Sequence, residues 1–196
     1  PAGIVTSNFF GYAGNYDVAE NIEPGQGYWV RTSRAGKLIL GSSPAGENGI
    51  TLANQHQSLT PFNKILVKDK SRHEQVLYWG AGNHGQLPIE FFDMPPLPPA
   101  GIFDARFGSN RLLEVIGNGT TQEYPIVISS ADYPVTIGWE EKSPGPLSSL
   151  LVDGMAISMK AIGSTSIQYP TSNIKLRLSG SASLPKEYSL EQNYPN

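Results

Sequence analysis

Ser149-Leu150-Leu151-Val152-Asp153-Gly154-Met155-Ala156-Ile157-Ser158-Met159 is the stretch whose reading decides the fold. Two short apolar runs flank Asp153-Gly154. An Asp-Gly connection between such runs is the strongest short-range hairpin signal, because a type I′ turn needs positive φ at both central positions. Outward from this point the same pattern repeats. Residues 64–68 (KILVK) and 75–79 (QVLYW) predict a hairpin around Lys70-Ser71-Arg72. Residues 27–32 (GYWVRT), rich in aromatic and β-branched side chains, predict a strand. Residues 37–40 predict another, after a turn at Ala35-Gly36. Residues 102–107 (IFDARF) alternate large apolar with polar or small side chains, the period of a strand with two different faces. Gly108-Ser109-Asn110 turns the chain into residues 111–116, and Asn118-Gly119 ends that run. Residues 125–129 and 135–139 make the next pair, with Ala131-Asp132 in the turn, and residues 164–168 and 174–178 close the series.

No window carries apolar residues at the helical spacing between capping signals. About a dozen strands at roughly 8–12-residue spacing therefore predict an all-β fold, an antiparallel β-sandwich. Two stretches divide it. Residues 40–57 are polar and glycine-rich, and read as a long loop or a boundary. Residues 94–99 (MPPLPP) cannot form a central strand or a helix interior, because proline donates no hydrogen bond, so they are expected as extended polyproline II over the surface. The expected organisation is a small β subdomain over residues 1–57, an Ig-like β-sandwich over 58–180 and a linker over 181–196. Residues 95–99 are expected to pack as a polyproline segment across aromatic side chains and to join the two β subdomains.

Composition excludes several functions. Only 16% of residues are charged, below the usual quarter, and the net charge of −3 comes with no clustered Lys/Arg, so no nucleic-acid partner is expected. No run of about 18 apolar residues exists, so no membrane span is expected. Cysteine is absent, which removes disulfides, thiolate nucleophiles and cysteine-based metal sites together. His56, His73 and His84 sit in polar, loop-like contexts without metal-ligand spacing. No cofactor or metal site is predicted. Glu140, Glu141 and Asp104 read better as turn and strand residues than as a glycosidase pair, and no nucleophile elbow is present, so no catalytic residue is predicted. Asn118-Gly119-Thr120 fits a glycosylation sequon but reads as turn chemistry.

The aromatic residues are the candidate interaction surface. Tyr28, Trp29, Tyr78, Trp79 and Trp139 lie in or beside strands. Adjacent strand residues point to opposite faces, so one ring of each pair is expected outward, suited to sugar stacking or a protein interface. The competing reading covers that ring with the second subdomain or the proline segment.

Three segments carry a resemblance. Glu23-Pro24-Gly25-Gln26-Gly27-Tyr28-Trp29-Val30 resembles an LxPGxGYWV element near the C-termini of large secreted proteins of the Bacteroidetes–Chlorobi–Ignavibacteria group. Pro95-Pro96-Leu97-Pro98-Pro99-Ala100-Gly101-Ile102-Phe103-Asp104-Ala105-Arg106-Phe107 resembles the LPPLPPxGxFDVRF element of the same proteins. Tyr188-Ser189-Leu190-Glu191-Gln192-Asn193-Tyr194-Pro195-Asn196 is similar to the opening of the type IX secretion sorting domain, with Gln192, Asn193, Tyr194, Pro195 and Asn196 as its motif. The resemblance implies secretion across the outer membrane to an extracellular or cell-surface location, and it carries no catalytic residues. The chain opens at Pro1 and stops at Asn196, before the rest of that motif, so a processed or excised piece of a larger precursor is expected.

These readings converge on a non-catalytic, extracellular structural or adhesive module. Its expected partners are other protein chains or copies of itself, and upstream domains of its precursor. The alternative is a carbohydrate-binding module that takes polysaccharide on exposed aromatics. In the proteins it resembles, an upstream strand precedes the Gly-Tyr-Trp element. Its absence before Pro1 implies an unpaired edge around residues 4–12 or 27–32, open to strand addition and self-assembly into fibres. The rival is that residues 1–20 fold back and fill that gap.

Overall fold

Alternation of apolar and polar side chains lays down the sheets. A computed structural model describes residues 4–38, 59–81, 88–117, 119–142 and 146–180. Strands β1 (Phe10–Tyr12), β2 (Tyr16–Val18) and β3 (Tyr28–Trp29) form a small antiparallel sheet in the order β2-β1-β3. Ten more strands follow. They are β4 (Asn63–Lys68), β5 (Glu74–Ala81), β6 (Asp104–Phe107), β7 (Leu113–Ile116), β8 (Thr121–Ser129), β9 (Val135–Glu140), β10 (Leu147–Val152), β11 (Met155–Ser158), β12 (Ile162–Ile167) and β13 (Ile174–Ser179). They make two five-stranded sheets, β12-β9-β4-β5-β7 and β11-β10-β13-β8-β6. Among the described strands only β5 and β7 pair in parallel. The fold is all-β: the described residues contain no α-helix, only a 3-10 turn at Ile89–Phe92.

The two large sheets pack as a sandwich. In β4 the residues Asn63, Ile65 and Val67 are buried and alternate with half-buried neighbours, and β13 does the same with Ile174, Leu176 and Leu178. These rows meet in one buried apolar cluster that also takes in Phe10 and Tyr16 of the small sheet. Each fully buried Leu, Ile or Val contributes about 1.5–3 kcal/mol against leaving it in water.

The Asp153-Gly154 hairpin forms as read: Val152 pairs with Met155, and φ is 49° at Asp153 and 86° at Gly154. The β4–β5 hairpin also forms, in register from Asn63↔Trp79 to Lys68↔Glu74.

Four expectations are corrected. Residues 125–129 and 135–139 do not pair. β8 lies between β13 and β6, while β9 lies between β12 and β4, so residues 130–134 carry the chain from one sheet to the other. The strand expected over 27–32 shrinks to Tyr28–Trp29, followed by a Val5↔Thr32 bridge. Lys37 and Leu38 belong to no strand, and residues 39–40 of that run, like the long segment 40–57, lie outside the described residues. The edge expected open over 4–12 is filled within the chain. β1 pairs on both sides, Thr6 N–H donates to the Arg31 carbonyl at 2.8 Å, and Ser33 N–H donates to the Ile4 carbonyl at 2.8 Å. The outer side of β2 meets the buried Gln75 side chain. Gln75 Oε1 accepts from Tyr16 N–H (3.1 Å) and its Nε2 donates to the Tyr16 carbonyl (2.8 Å), as a neighbouring strand would.

Candidate functional site

The five aromatic residues do not form one surface. β5 is covered on both faces, so its adjacent rings are both buried, Trp79 at 0% and Tyr78 at 8% exposure. Tyr78 shares a groove with Asp17, Val18 and Lys64, and burial there pushes its hydroxyl up to about 12, with the Asp17 charge adding to the shift. Trp139 is buried on the inner face of β9 and lies flat across Gly163 of β12, its cross-strand partner. The expectation that one ring of the Tyr78/Trp79 pair faces outward is therefore corrected, and Trp139 is buried as well. Tyr28 is half-buried, and its hydroxyl oxygen accepts the Glu23 N–H (2.8 Å) across the Pro24-Gly25 turn. Trp29 alone of the five is exposed, at 52%.

Trp29 forms a wall of a groove of about 410 Å³ between the small sheet and the sandwich. The far wall is Met94, Pro95 and Pro96, and Phe10 lies in the groove with them. Two separate sequence elements, around Tyr28-Trp29 and around Pro95-Pro96, thus meet at one place. An ion network closes it: the Asp93 carboxylate accepts from Arg31 Nη1 and, at 3.1 Å, from Arg111 Nε. The proline segment runs partly as expected. Met94 and Pro95 are buried against the fold, whereas Pro96, Leu97 and Pro99 are exposed.

Of the residues that seat this segment, Asp104 reads from sequence only as a strand residue, and Arg106 is not singled out. Asp104 and Arg106 are two apart on β6 and share a face, and both are buried. Both Asp104 oxygens accept from Arg106, at 2.6 Å each, in the bidentate geometry that suits guanidinium and carboxylate. Arg106 Nη1 also donates to the Pro95 carbonyl at 2.8 Å and to Asn110 Oδ1. The signal in the sequence was the Asp-x-Arg spacing itself, which reads equally well as a solvated strand face.

His73 is not a free loop residue either. Its Nδ1 lies 2.9 Å from Oδ2 of the buried Asp69, and its ring stacks on Phe103. Burial works to raise the Asp69 carboxyl, but bonds from the His73 ring and from the Asp132 and His73 N–H groups outweigh it and hold the group below its ordinary value. Glu141 Oε2 accepts from the Ala161 N–H at 3.2 Å, and Asp104 is held by Arg106, so the acids once considered as a pair have separate structural partners. Among the described residues no group of three His, Cys, Asp or Glu is placed to hold a metal, and no helix is long and apolar enough to cross a membrane.

The two ends of the sandwich differ. At one end lie β6 and β7, every residue of both buried. Residues 92–94 run beside the start of β7: Leu112 N–H donates to the Phe92 carbonyl, Met94 N–H to the Asn110 carbonyl, and Asp93 bridges Arg111. Tyr124 of β8 donates its hydroxyl to the Val115 carbonyl at 3.0 Å. Burial pushes that hydroxyl up to about 12, the Glu114 charge adding and Arg111 opposing, so it remains a donor at neutral pH.

At the other end lie β11 and β12, each paired on one side only among the described residues. Neither contains a charged residue, and the apolar side chains of Met155 (71%) and Ile162 (80%) stand in solvent there. The hydrogen-bond phase of β12 follows from the bond of Glu141 N–H to the Ala161 carbonyl (2.7 Å). Opposed residues alternate between bonded and non-bonded pairs. Gly163, Thr165 and Ile167 therefore bond to β9, while Ile162, Ser164 and Ser166 aim their N–H and C=O groups at the open side.

Gln192, Asn193, Tyr194, Pro195 and Asn196 lie outside the described residues. Comparison of the chain with protein-family models, with curated proteins and with solved structures finds no match.

Proposed function

We propose that this chain is a non-catalytic structural and adhesive module of an exported surface protein, and that it holds other protein chains by accepting an extended strand along β12. The observation that carries this reading is the uncharged edge of β12, with the N–H and C=O groups of Ile162, Ser164 and Ser166 directed outward. Native edges are normally blunted by lysine, proline, bulges or a covering segment, and an edge without them is a template for another strand. The extracellular placement rests on the sequence resemblance. The non-catalytic reading is supported by the engagement of Asp104, Asp69 and Glu141 in structural bonds.

An alternating Thr-Val peptide tests it. Amide resonances of Ile162, Ser164 and Ser166 should move on titration, and those of Gly163 and Thr165 much less. No shift along β12, or shifts spread evenly over both sets, would sink the reading.

Polysaccharide binding keeps one observation in its favour, Trp29 exposed beside the 410 Å³ groove. Trp79 and Trp139 are buried, so a change in tryptophan fluorescence on adding oligosaccharides would report Trp29. An unchanged spectrum across a range of oligosaccharides removes that reading.

A further inference from the structure

We infer that the strand accepted by β12 is β12 of a second copy of this chain, paired antiparallel about Ser164 in a closed two-fold dimer. This rests on the strand-acceptor reading of the same edge and adds its partner, its register and its limit.

The register follows from the phase of the edge. Only Ile162, Ser164 and Ser166 offer outward N–H and C=O groups, so an antiparallel partner must place its own outward groups against these. A two-fold axis at Ser164 does this for all three at once. Ser164 meets Ser164 of the second copy, and Ile162 meets Ser166 in both directions, each pair exchanging two hydrogen bonds. An axis at Gly163 or Thr165 would keep the phase but form fewer bonded pairs within the strand, because it sets Ser166 opposite Lys160 or Ile162 opposite Gln168, both outside β12.

Electrostatics agrees with this partner. Like strands brought together normally oppose like charges, which is how edges are kept apart. Here the paired side chains are serine and isoleucine, and the first flanking charge, Lys160, falls opposite Gln168 rather than opposite itself. Ile162, 80% exposed in the single chain, gains a neighbour on the outer face in Ser166 of the second copy.

The same geometry limits assembly through β12 to two chains. A strand that pairs with its own copy uses the edge up. At the far end of the sandwich β6 and β7 are buried, and residues 92–94 lie along the chain entering β7. Pairing of β12 with its own copy closes on itself and gives a dimer in place of a fibre propagated through this strand.

The absence of cysteine from the chain makes the test clean. In the proposed register the Ser164 Cα atoms of the two copies are about 5.5 Å apart, within disulfide reach. The two Ser166 positions lie about four strand residues apart, roughly 13 Å. Ser164→Cys should therefore oxidise to a linked dimer at least on the order of tenfold faster than Ser166→Cys. Sedimentation of the unmodified chain should show a dimer that Ser164→Pro dissociates. Ser164 donates nothing to β9, so proline removes no bond within the sheet, and Ser164→Lys repeats the test should proline disturb folding. Equal oxidation of the two cysteine variants, a monomer at millimolar concentration, or species growing without limit would each overturn the inference. If the chain stays monomeric while the Thr-Val peptide still moves the β12 amides, strand acceptance stands and pairing between copies falls; if neither occurs, both fall.

Discussion

The two ends of the sandwich solve the same problem with opposite chemistry. A β-sheet must stop somewhere, and its last strand carries unpaired backbone groups. At the β6/β7 end charged and polar residues are turned inward and hold residues 93–95 against the sandwich, with Asp93, Asp104, Arg106, Asn110 and Arg111 bonding to one another or to the Met94 and Pro95 carbonyls. At the β11/β12 end the strands are built from serine, alanine, glycine, threonine, isoleucine and methionine, and one side has no strand partner among the described residues. The residues expected to keep an edge soluble and unpaired, prolines and charges, have been spent on the end that is already shut. Charge inside and neutrality outside marks the first end as architecture and the second as surface available for contact.

Breaking the closed end should have the largest effect. Arg106→Met leaves the Asp104 carboxylate buried without its partner and releases the Pro95 carbonyl. Removing one member of a buried pair costs about 3–5 kcal/mol, whereas replacing both, as in Asp104→Leu with Arg106→Met, is expected to recover much of that. Denaturant midpoints measure both. A loss below about 1 kcal/mol for the single variant would mean that this end is held by something other than the Asp104–Arg106 pair.

The open end has one rigid point, which sharpens the contrast. A Cβ added at Gly163 would lie 2.5 Å from the Trp139 ring, which is packed into the core. Gly163→Ala should therefore destabilise by about 1–3 kcal/mol through overpacking, although β12 is an edge strand. Thermal unfolding would read it, and a neutral result would show that Trp139 moves freely.

Asp69 gives the pH dependence. Its carboxyl is held below the ordinary value in the folded chain, so its contribution is present above the unfolded value near 3.8 and is lost as pH falls through the lower folded value. Asp69→Asn places an amide N–H₂ among donors and should cost about 2 kcal/mol at neutral pH. Unfolding followed from pH 6 to pH 2 should show the two proteins converging at the acid end. Parallel curves would remove Asp69 from the acid sensitivity.

Gly154→Val should cost about 1–2 kcal/mol, because φ is 86° there and a β-branched residue resists that region. This hairpin was legible in the sequence because everything that decides it is local: two turn residues and the runs beside them. The β4–β5 hairpin was legible for the same reason. The pairing of residues 125–129 with 135–139 was misread because adjacency in sequence does not say which sheet a strand joins. β8 in fact pairs with β13, about fifty residues on, as in Lys175↔Pro125. The aromatic surface failed on a related point. A period of two assigns faces but not what covers them, and β5 is covered on both. The proline segment was readable from its four prolines, yet its anchor was not, since Asp104 and Arg106 look like any solvated pair until residues 93–96 fold over them. The open edge was sought around residues 4–12 or 27–32; residues 4–12 find partners within the chain, while β3 within 27–32 is only two residues long and pairs with β1 alone among the described strands. β12 passed unnoticed because an uncharged IGSTSI run looks ordinary until its neighbours are counted.

The smallest expected effect is the most discriminating one. Ile162→Lys and Met155→Lys alter side chains that are 80% and 71% exposed, so at protein concentrations too low for association each should change stability by no more than about 0.5 kcal/mol. At high concentration the outcome should part from this for Ile162→Lys alone. A partner that binds only the folded chain stabilises it by mass action, and a lysine on the paired strand weakens that partner by bringing charge to the edge. The apparent melting temperature of the unmodified chain should therefore rise with concentration, and that of Ile162→Lys should rise less. Met155→Lys should follow the unmodified chain if β12 alone makes the contact. A loss well above 0.5 kcal/mol in Ile162→Lys that is the same at every concentration would show that β12 is packed within its own chain, and the contrast between a shut end and an open one would be lost with it.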